Sequence, residues 1–270
     1  MAIKAWRYLD GEREDGVFNM AADQALLTLC NEGKSPPTIR LYGWRKPTVS
    51  IGYSGKGLER VDVGHCRKNS IDIVRRPTGG RILLHAEELT YSVTAPLEHP
   101  SFPKGLRKTH NIISQAIAEC FGKFGIMGGV RVISKPREGS GGAQLLSPAC
   151  FGLSNMTEIT IDGRKIVGSA QRRLSKAFLQ HGSVLIDFDP KKLNEIFIFS
   201  DKKARQNHLS SLKKKVTCLS KESVLELNFA CLKLLFLEGL KETLAKSLEK
   251  GIWTSEEIEL REKIMRQIVI

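Results

Sequence analysis

Hydrophobic and polar positions alternate in two periods along this chain, and the switches between them outline its elements. Asn19 followed by Met20-Ala21-Ala22-Asp23-Gln24-Ala25-Leu26-Leu27 predicts a helix capped by Asn19, running to about residue 32 and stopped by Gly33. After Pro36-Pro37, the β-branched and aromatic runs at 38–42 and 48–52 predict strands, as do 70–74, 82–85 and 89–94. Ile113, Ile117, Cys120, Phe121 and Phe124 recur at three- and four-residue steps, the apolar stripe of a helix. Residues 134–148, rich in Ser, Gly, Pro and charge, predict a long loop. Residues 158–161 and 164–167 flank Asp162-Gly163, a pair suited to a two-residue hairpin turn, and 178–186 predicts another strand. From Ser220 the texture turns helical: Val224, Leu227, Cys231, Leu234, Leu235 and Leu240 lie near a helical period, and Gly251 ends the run. Thr254-Ser255-Glu256-Glu257 has the form of a capping box that opens a terminal helix. The pattern predicts an α+β catalytic domain over 1–215 and a small helical portion over 216–270 packed on it, with no internal repeat.

Composition narrows the class. The chain has 270 residues and is 41% hydrophobic, enough for a core, and no run approaches the 18 apolar residues of a membrane span. The N-terminus passes from Met1 to Trp6 directly into Arg7 and Asp10 without a secretory apolar stretch, so a cytoplasmic protein is expected. Six cysteines at 30, 66, 120, 150, 218 and 231 form no C-x-x-C pair. Free thiols are therefore expected, with no metal site. The net charge of +13 is concentrated in Arg164, Lys165, Arg172, Arg173 and Lys176, and again in Lys202, Lys203, Arg205 and Lys213-Lys214-Lys215. Such a surface attracts polyanions, but no helix-turn-helix, zinc-finger spacing or aromatic RNA-binding signature accompanies it.

The densest chemistry lies in Arg75-Arg76-Pro77-Thr78-Gly79-Gly80-Arg81, between two strand candidates. Two glycines allow close backbone approach to a ligand, and three arginines offer donor forks for a phosphate or a carboxylate; a hairpin loop with solvated arginines reads equally well from spacing alone. His85 follows in the next strand. Lys165, two residues past a turn glycine, stands on a rigid mount suited to a site, or is an exposed hairpin lysine. Cys150 follows the small residues Ser147-Pro148-Ala149 at the end of the long loop, whereas Cys120 and Cys231 fall on apolar helical stripes and are expected in the core.

Taken with Asp162-Gly163-Arg164-Lys165-Ile166-Val167-Gly168-Ser169-Ala170-Gln171, the arginine/glycine loop resembles the biotin/lipoate protein ligase superfamily, and is most similar to its cysteine-dependent octanoyl-[acyl carrier protein]:protein N-octanoyltransferases. The resemblance runs from about Trp6 to Leu219. It includes Phe18-Asn19-Met20-Ala21, Ile39-Arg40-Leu41-Tyr42-Gly43-Trp44, Glu88-Leu89-Thr90-Tyr91-Ser92, Cys150-Phe151 and Gln180-His181-Gly182-Ser183. It implies a mixed or antiparallel sheet with flanking helices. It also implies a nucleophilic role for Cys150 with Lys165 as its partner, and a pocket for acyl chain and phosphopantetheine lined by Arg75, Arg76, Thr78, Gly79, Gly80, Arg81, His85, Gly168, Ser169, Ala170 and His181. A thiol of pKa ~8.5 is only about 3% thiolate at pH 7, and one of pKa ~6 about 90%, so a neighbouring ammonium would matter.

The implied reaction is ping-pong transfer of octanoyl from acyl carrier protein through a Cys150 acyl-enzyme. The acceptor is a lysine of a lipoyl-domain or glycine-cleavage H protein, and no cofactor is needed. Both carriers are acidic, which suits the positive charge; a monomer that binds neither nucleic acid nor membrane is expected. Two related reactions stay open. An ATP-dependent lipoate-protein ligase shares the fold and the lysine, but its loop has a third glycine where Arg81 stands and a His-Asp-x-Gly-Asn continuation where this chain reads His85-Ala86-Glu87-Glu88-Leu89. An amidotransferase moving octanoyl between lipoyl-carrying proteins would use the same residues.

Overall fold

The computed structural model describes residues 5–126, 128–134 and 157–268. Strand β1 (Trp6–Glu14) leads into helix α1 (Gly16–Asn31), then β2 (Thr38–Trp44), β3 (Thr48–Ile51), α2 (Val63–Lys68), β4 (Asp72–Arg75), β5 (Leu83–His85), β6 (Glu88–Pro96) and α3 (Leu106–Glu119). There follow β7 (Val130–Ser134), β8 (Thr157–Ile161), β9 (Arg164–Arg173), β10 (Ala177–Leu185), α4 (Pro190–Glu195), α5 (Lys202–Lys215), α6 (Leu219–Glu222), α7 (Phe229–Thr243), β11 (Leu248–Lys250) and α8 (Ser255–Met265). The class is α+β. An eight-stranded mixed sheet has the order β11-β1-β2-β6-β10-β9-β8-β7, and a three-stranded sheet the order β4-β3-β5. β11, β1 and β2 run parallel; the pairs from β2 through β6, β10, β9 and β8 to β7 are antiparallel.

The large sheet is buried on both sides, and its two faces differ in chemistry. Strand side chains alternate between faces. Ile39 and Leu41 of β2, Leu89, Tyr91 and Val93 of β6, and Phe178 and Val184 of β10 form the main core with Ile113 and Ile117 of α3, with Phe121 in the turn after it, and with Phe236 and Leu240 of α7. The intervening residues are polar yet buried: Arg40 on β2, Glu88, Thr90, Ser92 and Thr94 on β6, His181 and Ser183 on β10. Buried polar groups require partners, and this second face, under α1 and the small sheet, holds the candidate site. At the β8–β9 turn, Asp162 (φ 48°) and Gly163 (φ 76°) both take the left-handed conformation that a tight hairpin needs.

Several elements depart from the pattern reading. Helix α1 begins at Gly16 rather than after Asn19, with Asp15 at its N-cap. Asn19 faces inward: its amide donates to the Gly43 carbonyl at 2.8 Å and its carbonyl accepts from Arg40, tying α1 to β2. The apolar run from 224 is helical only over Phe229–Thr243, because Asn228 caps Cys231 N–H and starts the helix late. Val224 and Leu234 are exposed, as is Cys231, which is not a core residue. Beyond α7 the chain adds β11 beside β1. The expected capping box is present at α8, where Glu257 also pairs with Arg7 at 2.6 Å. No helix among the described residues is long and apolar enough to cross a membrane.

Burial also sets a pH response. Desolvation lowers His110 on α3 and His208 on α5 from 6.5 to about 4 each. Both are neutral in the fold and protonate near 6.5 once unfolded, so the unfolded chain binds more protons between those values and stability falls as pH drops from 6.5 towards 4. The upper bound is roughly 2 kcal/mol per histidine at pH 5. We expect a clearly lower melting midpoint at pH 5 than at pH 7.5, and a smaller drop in His110→Gln. An unchanged drop in that variant would place the acid sensitivity elsewhere.

Candidate active site

Between the polar face of the large sheet and the small sheet lies a cleft of about 430 Å³, part of it open to solvent. Its walls are Met20 of α1, Tyr42 of β2, Arg76, Leu83 and His85 of β5, Thr90 of β6, Lys165 and Gly168, Ser169 and Ala170 of β9, and His181, Gly182 and Ser183 of β10. Residues 75–81 do not close a hairpin. β4 and β5 flank β3 from opposite sides, and the loop crosses between them. It is pinned there: Tyr53 N–H donates to the Thr78 carbonyl at 2.8 Å, Gly80 takes φ 103°, and a Cβ on Gly52 would collide with the Gly80 carbonyl oxygen. Arg76 is buried and turns its guanidinium into the loop, donating to Ser50 O at 2.9 Å, to Gly79 O at 3.0 Å and to Arg81 O. Its fork organises the loop, and Arg76 is the residue of the loop that lines the cleft.

Two buried histidine networks stand behind the cleft. In the first, His85 Nδ1 donates to Glu88 Oε1 at 2.7 Å and its Nε2 accepts from the Ser50 hydroxyl at 2.8 Å, a tautomer assigned from the carboxylate partner. Arg76 donates to Ser50 Oγ at 3.0 Å, so hydrogen bonds run in one direction from Arg76 through Ser50 and His85 to Glu88. Burial lowers the His85 pKa against the pull of Glu88, keeping the ring neutral, and Trp44 stacks on it at 3.8 Å. Thr90 and Ser183 donate to the same Glu88 oxygen.

In the second network, His181 Nδ1 donates to Asp23 Oδ2 at 2.9 Å while its Nε2 meets Thr78 Oγ1 at 2.6 Å. Asp23 also accepts from Arg40 at 3.0 Å and from the Tyr42 hydroxyl at 2.8 Å. Burial pushes the Asp23 carboxyl up, but the His181 hydrogen bond and the Arg40 charge outweigh it, and its pKa lies below the usual value. The same carboxylate and the same burial hold Tyr42 well above an ordinary phenol.

Lys165 is 5% exposed, not an open hairpin lysine. Its Nζ donates to Glu158 Oε1 at 2.7 Å. Two constraints fix its backbone: pairing with Thr160 beside an irregularity in the β8–β9 register, and the Thr217 N–H on its carbonyl at 2.9 Å. Below Gly168–Ala170, the Ser169 hydroxyl meets Tyr91 Oη at 2.7 Å, and burial pushes that phenol up to about 12.

Of the residues singled out in the sequence, Arg76, His85, Lys165, Gly168, Ser169, Ala170 and His181 meet at the cleft. Thr78 sits behind His181, Arg75 ends β4, and Gly79, Gly80 and Arg81 lie along the loop, all outside the lining. Cys150 lies outside the described residues. Pattern reading missed Asp23, Ser50, Glu88 and Glu158 as members of the site. A signal existed for Asp23, a carboxylate among small apolar residues of a predicted helix, and for Glu88, at the polar phase of a buried strand. Among the described residues, no three His, Cys, Asp or Glu side chains form a metal set.

A buried lysine on a strand shares a narrow cleft with a buried arginine and two buried, hydrogen-bonded histidines, the arrangement of an enclosed polar active site rather than of an open surface. The model of the lipoyl protein ligase A/B catalytic domain matches residues 15–241, and the chain belongs to that family. Among curated relatives, the octanoyltransferase LipM of Halalkalibacterium halodurans is 36% identical over 261 residues, 96% of this chain and 95% of that one. The octanoyltransferase LipM of Geobacillus kaustophilus is 38% identical, over 93% of this chain and 88% of that one. Among solved structures, the bipartite lipoate protein ligase of Thermoplasma acidophilum superposes with a TM-score of 0.76 at 21% identity, covering 97% of this chain and 92% of that one, a likeness of fold.

Proposed function

We propose that this protein is an octanoyltransferase of protein lipoylation, acting in the cytoplasm through a Cys150 acyl-enzyme. The observation that carries the reading is Lys165, a buried ammonium fixed on the cleft wall of a chain that matches octanoyltransferases over nearly its whole length. In the first half-reaction the Cys150 thiolate attacks the carbonyl carbon of an octanoyl thioester borne by acyl carrier protein. The new C–S bond forms as the old one breaks, and the carrier's sulfur leaves and takes up a proton. In the second, the neutral ε-amine of an acceptor lysine on a lipoyl domain or H protein attacks the acyl-enzyme. An amide forms, and the Cys150 thiolate is released as the amine loses its proton.

The Lys165 charge favours thiolate over thiol and stabilises negative charge on the thioester oxygen in the transition state. The networks of Glu88 and Asp23 hold His85 and His181 in fixed tautomers along the cleft, a preorganisation that acyl transfer requires. The other cysteines support the choice of nucleophile. Burial pushes Cys66 up to about 11 and Cys120 up to about 12, and raises Cys218; Cys30 is buried and Cys231 is exposed on α7, and none of the five lines the cleft.

Intact-protein mass spectrometry after mixing with octanoyl-acyl carrier protein, without ATP, tests the reading. A single octanoyl adduct is expected on the protein and none on Cys150→Ala. No adduct on the unmodified protein, with acceptor modification appearing only when octanoate and ATP are supplied, would make it a ligase.

A further inference from the structure

Helix α5 carries Lys202, Lys203, Arg205, Lys213, Lys214 and Lys215 and no carboxylate over its 14 residues. All six cations are exposed, and among the described residues none of them enters an ion pair. At about 100° per residue, Lys202, Lys203, Lys213 and Lys214 fall on one face, opposite the buried His208 and Leu212. This pattern works against the helix itself. Lys202 and Lys203 stand in the first turn, where the macrodipole disfavours cations, and a surface built for solubility mixes its signs.

The helix is nonetheless held rigidly. His208 Nδ1 meets Asn194 Oδ1 at 2.7 Å, and Leu212 packs with Ile196 and Phe197 in the second core. Its C-terminal end adjoins the strand that carries the site lysine: residues 213–215 lead into Val216, which bridges Lys165, and Thr217, whose N–H donates to the Lys165 carbonyl.

We propose that α5 is the docking surface for the acidic carrier protein that delivers the acyl thioester. The carrier's carboxylates lie along a stripe of about 21 Å, and its acyl-bearing arm passes residues 213–215 to reach Lys165. The inference rests on the transferase reading and adds the donor's address to it. A long flexible arm suits a stripe that extends well away from the cleft, whereas an acceptor lysine must itself enter the cleft. Helix α5 has no aromatic side chain to stack a base and no exposed large apolar residue to enter a bilayer, so an acidic protein suits it better than nucleic acid or lipid.

The test is a charge reversal on the full chain, Lys202→Glu, Lys203→Glu, Lys213→Glu and Lys214→Glu together. KM for octanoyl-carrier protein should rise by about tenfold or more, with kcat and turnover of protein-free octanoyl-pantetheine within about twofold of the starting protein. The rise of KM with added salt should flatten in the variant. If the quadruple variant melts below the assay temperature, Lys213→Ser with Lys214→Ser should give a smaller rise in the same direction. An unchanged carrier KM overturns the proposal, as does equal loss on both substrates. So does a variant whose only change is loss of affinity for an oligonucleotide. Calorimetric titration with carrier lacking its acyl group separates the two readings. α5-dependent binding without any transfer would leave the docking face standing and remove the activity, and transfer with α5-independent binding would do the reverse.

Discussion

Asp23→Ala is expected to lower folding stability by about 3–5 kcal/mol, the range for removing one partner of a buried ion pair, from a total of about 5–15 kcal/mol for an ordinary domain. Asp23 is completely buried and accepts from Arg40, Tyr42 and His181. Without it the Arg40 guanidinium, itself 1% exposed, keeps the Asn19 oxygens and the face of the Tyr42 ring at 3.8 Å but, among the described residues, no counter-charge. The loss comes mainly from that stranded charge, so Asp23→Leu combined with Arg40→Met should recover much of the stability. His181 loses its Nδ1 acceptor in either variant, so transfer should stay impaired when stability returns. Denaturant unfolding of the single and double variants checks the first claim. A loss below about 1 kcal/mol in Asp23→Ala would mean that the polar face tolerates an unpaired arginine.

How much of this was legible beforehand follows from where each signal sits. The β8–β9 hairpin was readable because Asp162-Gly163 demands two left-handed residues and its flanks alternate. Lys165 was placed correctly on its strand, but its burial was not visible: Glu158 reaches it across a register irregularity that no two-residue period encodes. Helix α5 read only as a run of charge, since just His208 and Leu212 of its 14 residues are buried and there is no apolar stripe to count. Residues 224–228 show the opposite case: Val224 and Leu227 stand in helical phase, yet Asn228 caps a later start, so Val224 is left exposed while Leu227 packs on the main core from outside the helix. Arg76 reads as a donor for ligand anions from its type and neighbours, and it does line the cleft; what type and neighbours do not reveal are the hydrogen bonds to Ser50, Gly79 and Arg81 that the crossing of the loop over β3 brings it. The partners of Asp23 lie 17, 19 and 158 positions along the chain, a separation that pattern alone does not bridge.

Lys165→Met should lower octanoyl transfer about 10²–10³-fold, the usual effect of removing one donor from a transition-state oxyanion site, while the protein still folds. The same substitution should shift the alkylation pKa of the Cys150 thiol up towards ~8.5, the value of a cysteine without a cationic neighbour. Glu158→Gln provides the opposing arm. Glutamine can still accept from Nζ but no longer offsets its charge, so the Cys150 thiol should titrate lower than in the starting protein. That variant should also lose stability, because it removes the charged acceptor of a buried ion pair. Iodoacetamide labelling followed by mass spectrometry across pH 5–9 reads both shifts on one residue. Opposite shifts would show that Lys165 acts on the sulfur through its charge and that Glu158 moderates that charge. Shifts in the same direction would show that the pair serves mainly to join β8 to β9, and the electrostatic role would have to be sought in another cation near the cleft.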